Sequence, residues 1–192
     1  MDKGRLEAFS DGVLAVIITI MVLELAPPHA PTLGALAGQW PVFVSYVLSF
    51  VYVGIYWNNH HHMLKGVERI DGRAMWANLH LLFWISLFPF TTAWMSENSF
   101  APLPTALYGA VLLLAALAWP LLGRALVAAN GPDCPLARVH RRGGKERMSI
   151  VLYLVAVPLA LIISPWLACA LYAVVAALWF VPDRRMEKIV AP

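Results

Sequence analysis

Apolar stretches near the length of a bilayer crossing dominate this chain, and they leave few folds open to it. A hydrocarbon core of about 30 Å takes about 20 apolar residues of helix. Six stretches approach that length, at about 7–25, 39–64, 72–95, 104–128, 147–163 and 166–182. Pro27-Pro28 ends the first, Trp40-Pro41 opens the second, and Pro102 and Pro104 precede the fourth. Only Ser164-Pro165 parts the fifth from the sixth, so these two are expected to form an antiparallel helical hairpin. Pro89 and Pro158 stand inside spans three and five, where proline kinks a helix. Composition agrees: 60% of the 192 residues are hydrophobic and 13% charged, too little polar surface to clothe a soluble core of this size. The expected fold class is an all-α membrane protein, one six-helix unit over residues 1–192, with no soluble domain in its short loops. Lys3 and Arg5 resemble the start of a cleaved signal peptide. Glu7 and Asp11 interrupt that pattern, and the first span is read as a retained transmembrane helix.

Charge placement tests the count of spans. Lys3 and Arg5 precede the first. Lys65, Arg69 and Arg73 lie between the second and third. Arg124, Arg138, Arg141, Arg142, Lys145 and Arg147 lie between the fourth and fifth, and Arg184, Arg185 and Lys188 follow the sixth. The other three connections hold no lysine or arginine. An excess of lysine and arginine marks cytoplasmic loops, so both termini are expected in the cytoplasm. A miscount by one span would destroy the alternation. The net charge of +3 therefore belongs to membrane topology, and no nucleic-acid partner is implied.

Polar groups inside membrane spans are costly and mark functional candidates. Three clusters stand out. Arg5, Glu7, Ser10 and Asp11 open the first span. At about 100° per residue, Ser10 and Asp11 share one side, and Gly12, Val16, Thr19, Ile20 and Leu23 share the roughly opposite one. Glu7 is accounted for by the macrodipole at a helix N-terminus. Asp11 lies deeper and needs donors. Asn58-Asn59-His60-His61-His62 ends the second span, and Asn78 and His80 lie one to two turns into the third. These groups reach a common level near the inner leaflet. Asp11 accepting from histidine or asparagine of spans two and three would satisfy the polar accounting; independent bonds to backbone or water would also satisfy it. Three consecutive histidines cannot converge on one ion, and no Cys, Asp or Glu follows them at helical spacing, so no metal site is expected. Cys134 and Cys169 form no metal motif or disulfide framework. No phosphate-cradling motif appears, and no enzyme activity is expected.

The run Arg5-x-x-x-Phe9-Ser10-Asp11 resembles the signature of the transmembrane protein 175 family, the lysosomal potassium channels and their bacterial relatives. Ser10-Asp11-Gly12-Val13 through Ile18-Thr19 and Leu23-Glu24 resembles that family's first helix. Trp57 with the Asn/His run, and Asp71 through Trp76-Ala77-Asn78 to Pro89, resemble its second and third helices. The resemblance implies a homotetramer of six-helix subunits in a bacterial plasma membrane, with the first helix of each lining a central pore for monovalent cations. It implies permeant K⁺ rather than a bound cofactor. It also implies a constriction of apolar side chains, here Val16, Ile20 and Leu23, and a threonine ring, here Thr19, as ion ligand. Val16 is smaller than the Leu or Ile that the family often carries there. Arg5, Phe9, Ser10, Asp11, His60, His61, Asn78 and His80 are then the network that locks the pore helix against spans two and three. Glu24, at the far end of that helix, either concentrates cations at the pore mouth or is an ordinary interfacial carboxylate.

Two other readings use the same residues. A proton-coupled carrier would use Asp11 and His80 as a relay, although no internal repeat accompanies them. A membrane haem protein would use His80 with one of His60–His62 as axial ligands.

Overall fold

The computed structural model of the chain describes residues 2–140 and 143–180, and of 138–140 the backbone alone. Arg141, Arg142, Arg184, Arg185 and Lys188 lie outside the described residues, as does the end of the sixth expected span. The described residues form α-helices with no strand among them. These are α1 (Lys3–Leu23), α2 (Leu33–Gly38), α3 (Trp40–Lys65), α4 (Gly72–Ser86), α5 (Phe88–Glu97), α6 (Pro102–Asn130), α7 (Pro135–His140), α8 (Gly144–Ile162) and α9 (Pro165–Phe180).

Among the described residues, four helical segments suffice by length and composition to cross a membrane: α1, α3, α4 with α5 taken together as Gly72–Glu97, and α6. α9 is apolar, with 16 residues among those described. α8 has 19 residues and starts on Lys145-Glu146-Arg147, so its apolar part is shorter than its helix. These two helices pack side by side, as the hairpin reading expects, and both also pack on α6.

Local chemistry sets the helix ends. The Asp2 side chain accepts from the Gly4 N–H to cap α1, and Asp71 Oδ1 accepts from the Ala74 N–H at 2.8 Å to cap α4. The third expected span breaks at Leu87. Pro89 lacks an N–H and its ring crowds the carbonyl four residues back, so α5 starts afresh there. Pro120 and Pro158 sit within continuous helices. Between α5 and α6, Ser99 and Phe100 adopt positive φ of 50° and 59°, which costs a non-glycine residue free energy. What offsets it is packing: the Phe100 ring lies 4.9 Å from Trp166 and 5.8 Å from Trp40. The starts of α3, α6 and α9 are thereby gathered at one end of the bundle.

That end also carries Glu24 and Glu97, at the C-termini of α1 and α5, and no lysine or arginine among the described residues. We call it the acidic end. Lys3, Arg5, Lys65, Arg73, Lys145 and Arg147 lie at helix termini of the opposite, basic end, and Arg69 in a loop there. There Asn130, the last residue of α6, holds the 66–71 loop. Its Oδ1 accepts from the N–H groups of Glu68 and Arg69 at 2.9 and 2.8 Å, and its Nδ2 donates to the Arg69 carbonyl. Lys3 Nζ reaches the Val67 carbonyl at 3.0 Å, so α1 is tied to the same loop.

α6 forms the centre of the bundle, packed on α4, α5, α8 and α9, whereas α1 lies at its edge against α3, α4 and α5.

Candidate functional site on the first helix

One face of α1 is sealed inside the chain. Leu6, Ser10, Leu14, Ile17 and Met21 are buried and follow the spacing of a single helical stripe. The opposite face is left uncovered by the chain itself. Val16 is 55% exposed, Ile20 42% and Leu23 81%, with Thr19 beside them. The Thr19 hydroxyl donates to the Val16 carbonyl of its own helix at 2.8 Å. Its oxygen keeps acceptor capacity beyond that bond.

Polar bonds at the basic end fix which face is sealed. Ser10 Oγ donates to the Leu6 carbonyl at 2.8 Å and accepts from Asn78 Nδ2 at 2.9 Å. Asn78 Oδ1 then faces His60 Nε2 at 2.7 Å. The directions follow in order. Since the Ser10 proton goes to Leu6, Asn78 must offer its NH₂ to Ser10. Its carbonyl oxygen is therefore the group facing His60, and His60 carries its proton on Nε2. Ser10 and Asn78 are wholly buried and His60 is 1% exposed. A single chain of hydrogen bonds thus joins α3, α4 and α1. A second link lies nearer the surface, where His61 Nδ1 donates to Glu7 Oε1 at 2.9 Å.

Four of the eight residues expected in this network are in it: Ser10, His60, His61 and Asn78. Four are not. Asp11 makes no hydrogen bond among the described residues; it lies 100° round the helix from Ser10, on the flank of the sealed face. Arg5 and Phe9 are exposed, Phe9 by 50%. Their spacing to Gly12, Val16 and Leu23 continues the uncovered stripe toward the basic end. His80 is exposed and accepts from Trp84 Nε1 at 2.9 Å, one turn along its own helix. It stands two residues from Asn78, which turns it 200° away. The Asp11–His80 relay is not formed. The paired-histidine ligand set is not formed either, since His60 Nε2 is committed to Asn78 and His80 Nε2 to Trp84. Glu7, assigned from sequence only to the helix dipole, is the carboxylate that actually pairs.

Comparison with known proteins bears on this geometry. The profile described as endosomal/lysosomal potassium channel TMEM175 matches residues 5–89, the segment that holds α1, α3, α4 and both polar links. A potassium channel of Chryseobacterium sp. strain P1-3 is 45% identical over 188 residues, 98% of this chain and 97% of the relative. The chain belongs to the TMEM175 family. A second relative, a potassium channel of Streptomyces collinus, is 36% identical over 73% of this chain and 74% of its own. The fold follows the same family. The crystal structure of a lysosomal potassium-selective channel TMEM175 homologue from Chamaesiphon minutus superposes with a TM-score of 0.82 at 30% identity, covering 93% of this chain and 96% of that one. The proteins of this family that the chain resembles are named as channels, not as enzymes. The endosomal/lysosomal proton channel TMEM175 of Mus musculus is 28% identical over 54% of this chain, and that match covers 23% of the relative.

Sequence reasoning missed Glu7, Lys3 and Asn130. It also missed a set of buried hydroxyls in α3, whose signal was present. Ser45, Ser49, Tyr52, Tyr56 and Asn59 repeat at four and three residues and form one polar stripe along that helix.

Proposed function

We propose that the protein is a K⁺-permeable channel in which four copies set the uncovered face of α1 around a common axis. The observation that carries this is the pairing of a sealed face with an open one. α1 is locked on one side by Ser10, Asn78 and His60, while Val16, Thr19, Ile20 and Leu23 are exposed among the described residues. Around an axis, Val16, Ile20 and Leu23 form successive apolar constrictions. Thr19 supplies a ring of hydroxyl oxygens that replaces part of an ion's hydration shell. One such ring replaces little of it, so K⁺ is preferred over Na⁺ only modestly. Glu24, exposed at the end of α1, holds cations near the mouth.

In this reading α8 and α9 also cross the bilayer, and both chain termini lie on the cytoplasmic side of a bacterial plasma membrane. Two contacts support it. Trp166 stacks against Trp40 and meets the tilted Phe100 ring at the acidic end, and Trp179 Nε1 donates to Ser149 Oγ toward the basic end. The hairpin therefore runs the length of the bundle. Separation of lysine and arginine to one end supports the orientation.

The test is reconstitution. Tetramers in liposomes should pass K⁺ and Cs⁺ faster than Na⁺, and cross-links between cysteines placed at Leu23 should join copies. Tetramers that pass no cation would refute the channel. A dimer, or α1 on the outer rim of the assembly, would refute the arrangement.

A further inference from the structure

A small cavity of about 40 Å³ lies between α3, α6, α8 and α9, away from the α1 face and toward the basic end. Its walls are aromatic: Tyr52, Tyr56, Trp119, Tyr153 and Trp179. Tyr56 and Trp119 meet at 62° with ring centroids 5.9 Å apart, so they form two sides of a corner. The face of an aromatic ring is electronegative and attracts cations. Lys145 Nζ lies 6.0 Å from the Trp179 centroid, at the outer limit of that attraction. Glu146, in the first turn of α8, is the one charged residue among those that line the cavity.

Hydrogen bonds in the walls favour the same kind of guest. Most of the donors are spent. Tyr153 donates to the Tyr52 hydroxyl at 3.0 Å, and Tyr52 to the Tyr172 carbonyl at 2.6 Å. Ser149 donates to the Lys145 carbonyl and Trp179 Nε1 to Ser149 Oγ, both at 2.8 Å. Acceptors are left over. Asn59 is buried and donates Nδ2 to the Ile55 carbonyl at 2.8 Å, while its Oδ1 makes no hydrogen bond among the described residues. A buried acceptor costs free energy until something donates to it. The Tyr56 and Tyr153 oxygens keep lone pairs too. The donors that remain, on Tyr56, Asn59 and Trp119, are all neutral, so nothing in the walls offsets the charge of an anion. Size narrows the choice further. A water takes about 10–15 Å³ of such space, so the cavity admits about three or four non-hydrogen atoms.

We propose that each subunit binds a primary alkylammonium group in this cavity. The ammonium donates to Asn59 Oδ1 and to a tyrosine oxygen, its charge is met by the Glu146 carboxylate, and the Tyr56 and Trp119 rings enclose the carbon next to it. A metal cation gains less here, because the walls are mainly carbon and replace few of its waters. A free alkylamine and the ethanolamine end of a phospholipid present the same group. None of the lining residues belongs to α1, so the site stands whether or not the α1 face conducts K⁺.

A ligand-observed NMR titration of the full chain in detergent with ethylammonium chloride tests it. Three non-hydrogen atoms reach a Kd of about 1 mM at best, so binding is expected at about 1–10 mM. Ethanol, neutral and of the same length, should bind at least about tenfold more weakly, and tetraethylammonium, too large for the cavity, should not compete. Glu146→Gln and Trp119→Leu should each weaken ethylammonium about tenfold. If Trp119→Leu fails to assemble, Glu146→Gln carries the test, since it keeps the shape and removes the charge. Nanodiscs identify the source of the group. Ethylammonium binding in phosphatidylglycerol that is lost in phosphatidylethanolamine upholds the site with a lipid head in it, and equal binding in both upholds it for a free amine. A parent that binds no ethylammonium overturns the proposal, as does ethanol binding equally well or an unchanged Kd in Glu146→Gln. Loss of binding in Thr19→Val with none in Glu146→Gln would move the ammonium to α1 and overturn it too.

Discussion

α1 and α6 are both long, apolar helices, and the fold treats them in opposite ways. In α6, Tyr108, Leu112, Ala115, Leu122 and Leu126 are wholly buried, and α8 and α9 close over it. A backbone carbonyl of α6 is met from within the chain, where the Tyr172 hydroxyl donates to the Thr105 carbonyl at 3.1 Å. In α1 the stripe from Arg5 through Val16 to Leu23 is exposed among the described residues. Hydrophobicity is the same signal in both helices, so it does not reveal which apolar face is core and which is left for something outside the chain. The polar locks reveal it. Ser10, Asn78 and His60 pin one side of α1, and the open stripe is what remains.

Substitutions break or sharpen this contrast, and their effects on the isolated subunit should fall in order. Gly109→Ala should be the most damaging. A methyl group there overlaps the Tyr172 hydroxyl and ring, and overpacking costs about 1–3 kcal/mol or more. Loss of the monodisperse peak in size-exclusion chromatography would show it, and a protein with parent-like stability would mean the α6–α9 contact is looser than described. Asn78→Leu comes next. It leaves the buried His60 Nε2–H and the Ser10 oxygen without their partner, at about 2 kcal/mol. Thermal unfolding should shift down by about 5 °C, and an unchanged melting temperature would break the idea that this chain of bonds locks α1.

Glu7→Gln should cost about 0.5 kcal/mol, because its partner His61 is 36% exposed and Glu7 25%; a double-mutant cycle with His61→Ala measures the pair. Asp11→Ala should change the stability of the subunit by less than about 0.5 kcal/mol, since Asp11 makes no hydrogen bond among the described residues. Its effect should appear in assembly, as dissociation of the oligomer on dilution. A large loss of subunit stability with assembly intact would place Asp11 in the lock after all. Thr19→Val should leave folding and assembly untouched. It should lower the K⁺ over Na⁺ permeability ratio about two- to fivefold, the scale of one hydroxyl contact to an ion. An unchanged ratio would remove Thr19 from the ion path.

The sequence carried much of this plan. Span lengths, prolines and the grouping of lysine and arginine placed the long helices to within a few residues, and Pro89 marked the break at Leu87. Ser10, His60, His61 and Asn78 were legible because polar residues in apolar runs have few reasons to be there. The choice between neighbours was not legible. Glu7 and Asp11 lie four residues apart, so they point within about 40° of each other on α1. Which one finds a donor depends on the rotation of α3, and no pattern in α1 encodes that. Asn78 and His80 point apart, so only one can face inward, and the sequence does not say which. The hydroxyls of α3 escaped for a different reason. Serine, threonine and tyrosine are tolerated singly in apolar helices, and only their repeat along α3, matched by Thr92, Tyr108 and Tyr153 from three other helices, makes them a set.

The stack of Trp40, Phe100 and Trp166 has a consequence for registry. It pins the first turns of α3 and α9 and the entry to α6 to a common datum, so the three helices are measured from one end of the bundle. Any change in the length of α9 must then be absorbed at its far end. One residue inserted after Trp166 would advance Trp179 by about 1.5 Å and turn it by about 100°, away from Ser149. The aromatic stack works as the zero of a ruler, and the bond from Trp179 to Ser149 reads whether α9 has been cut to the right length.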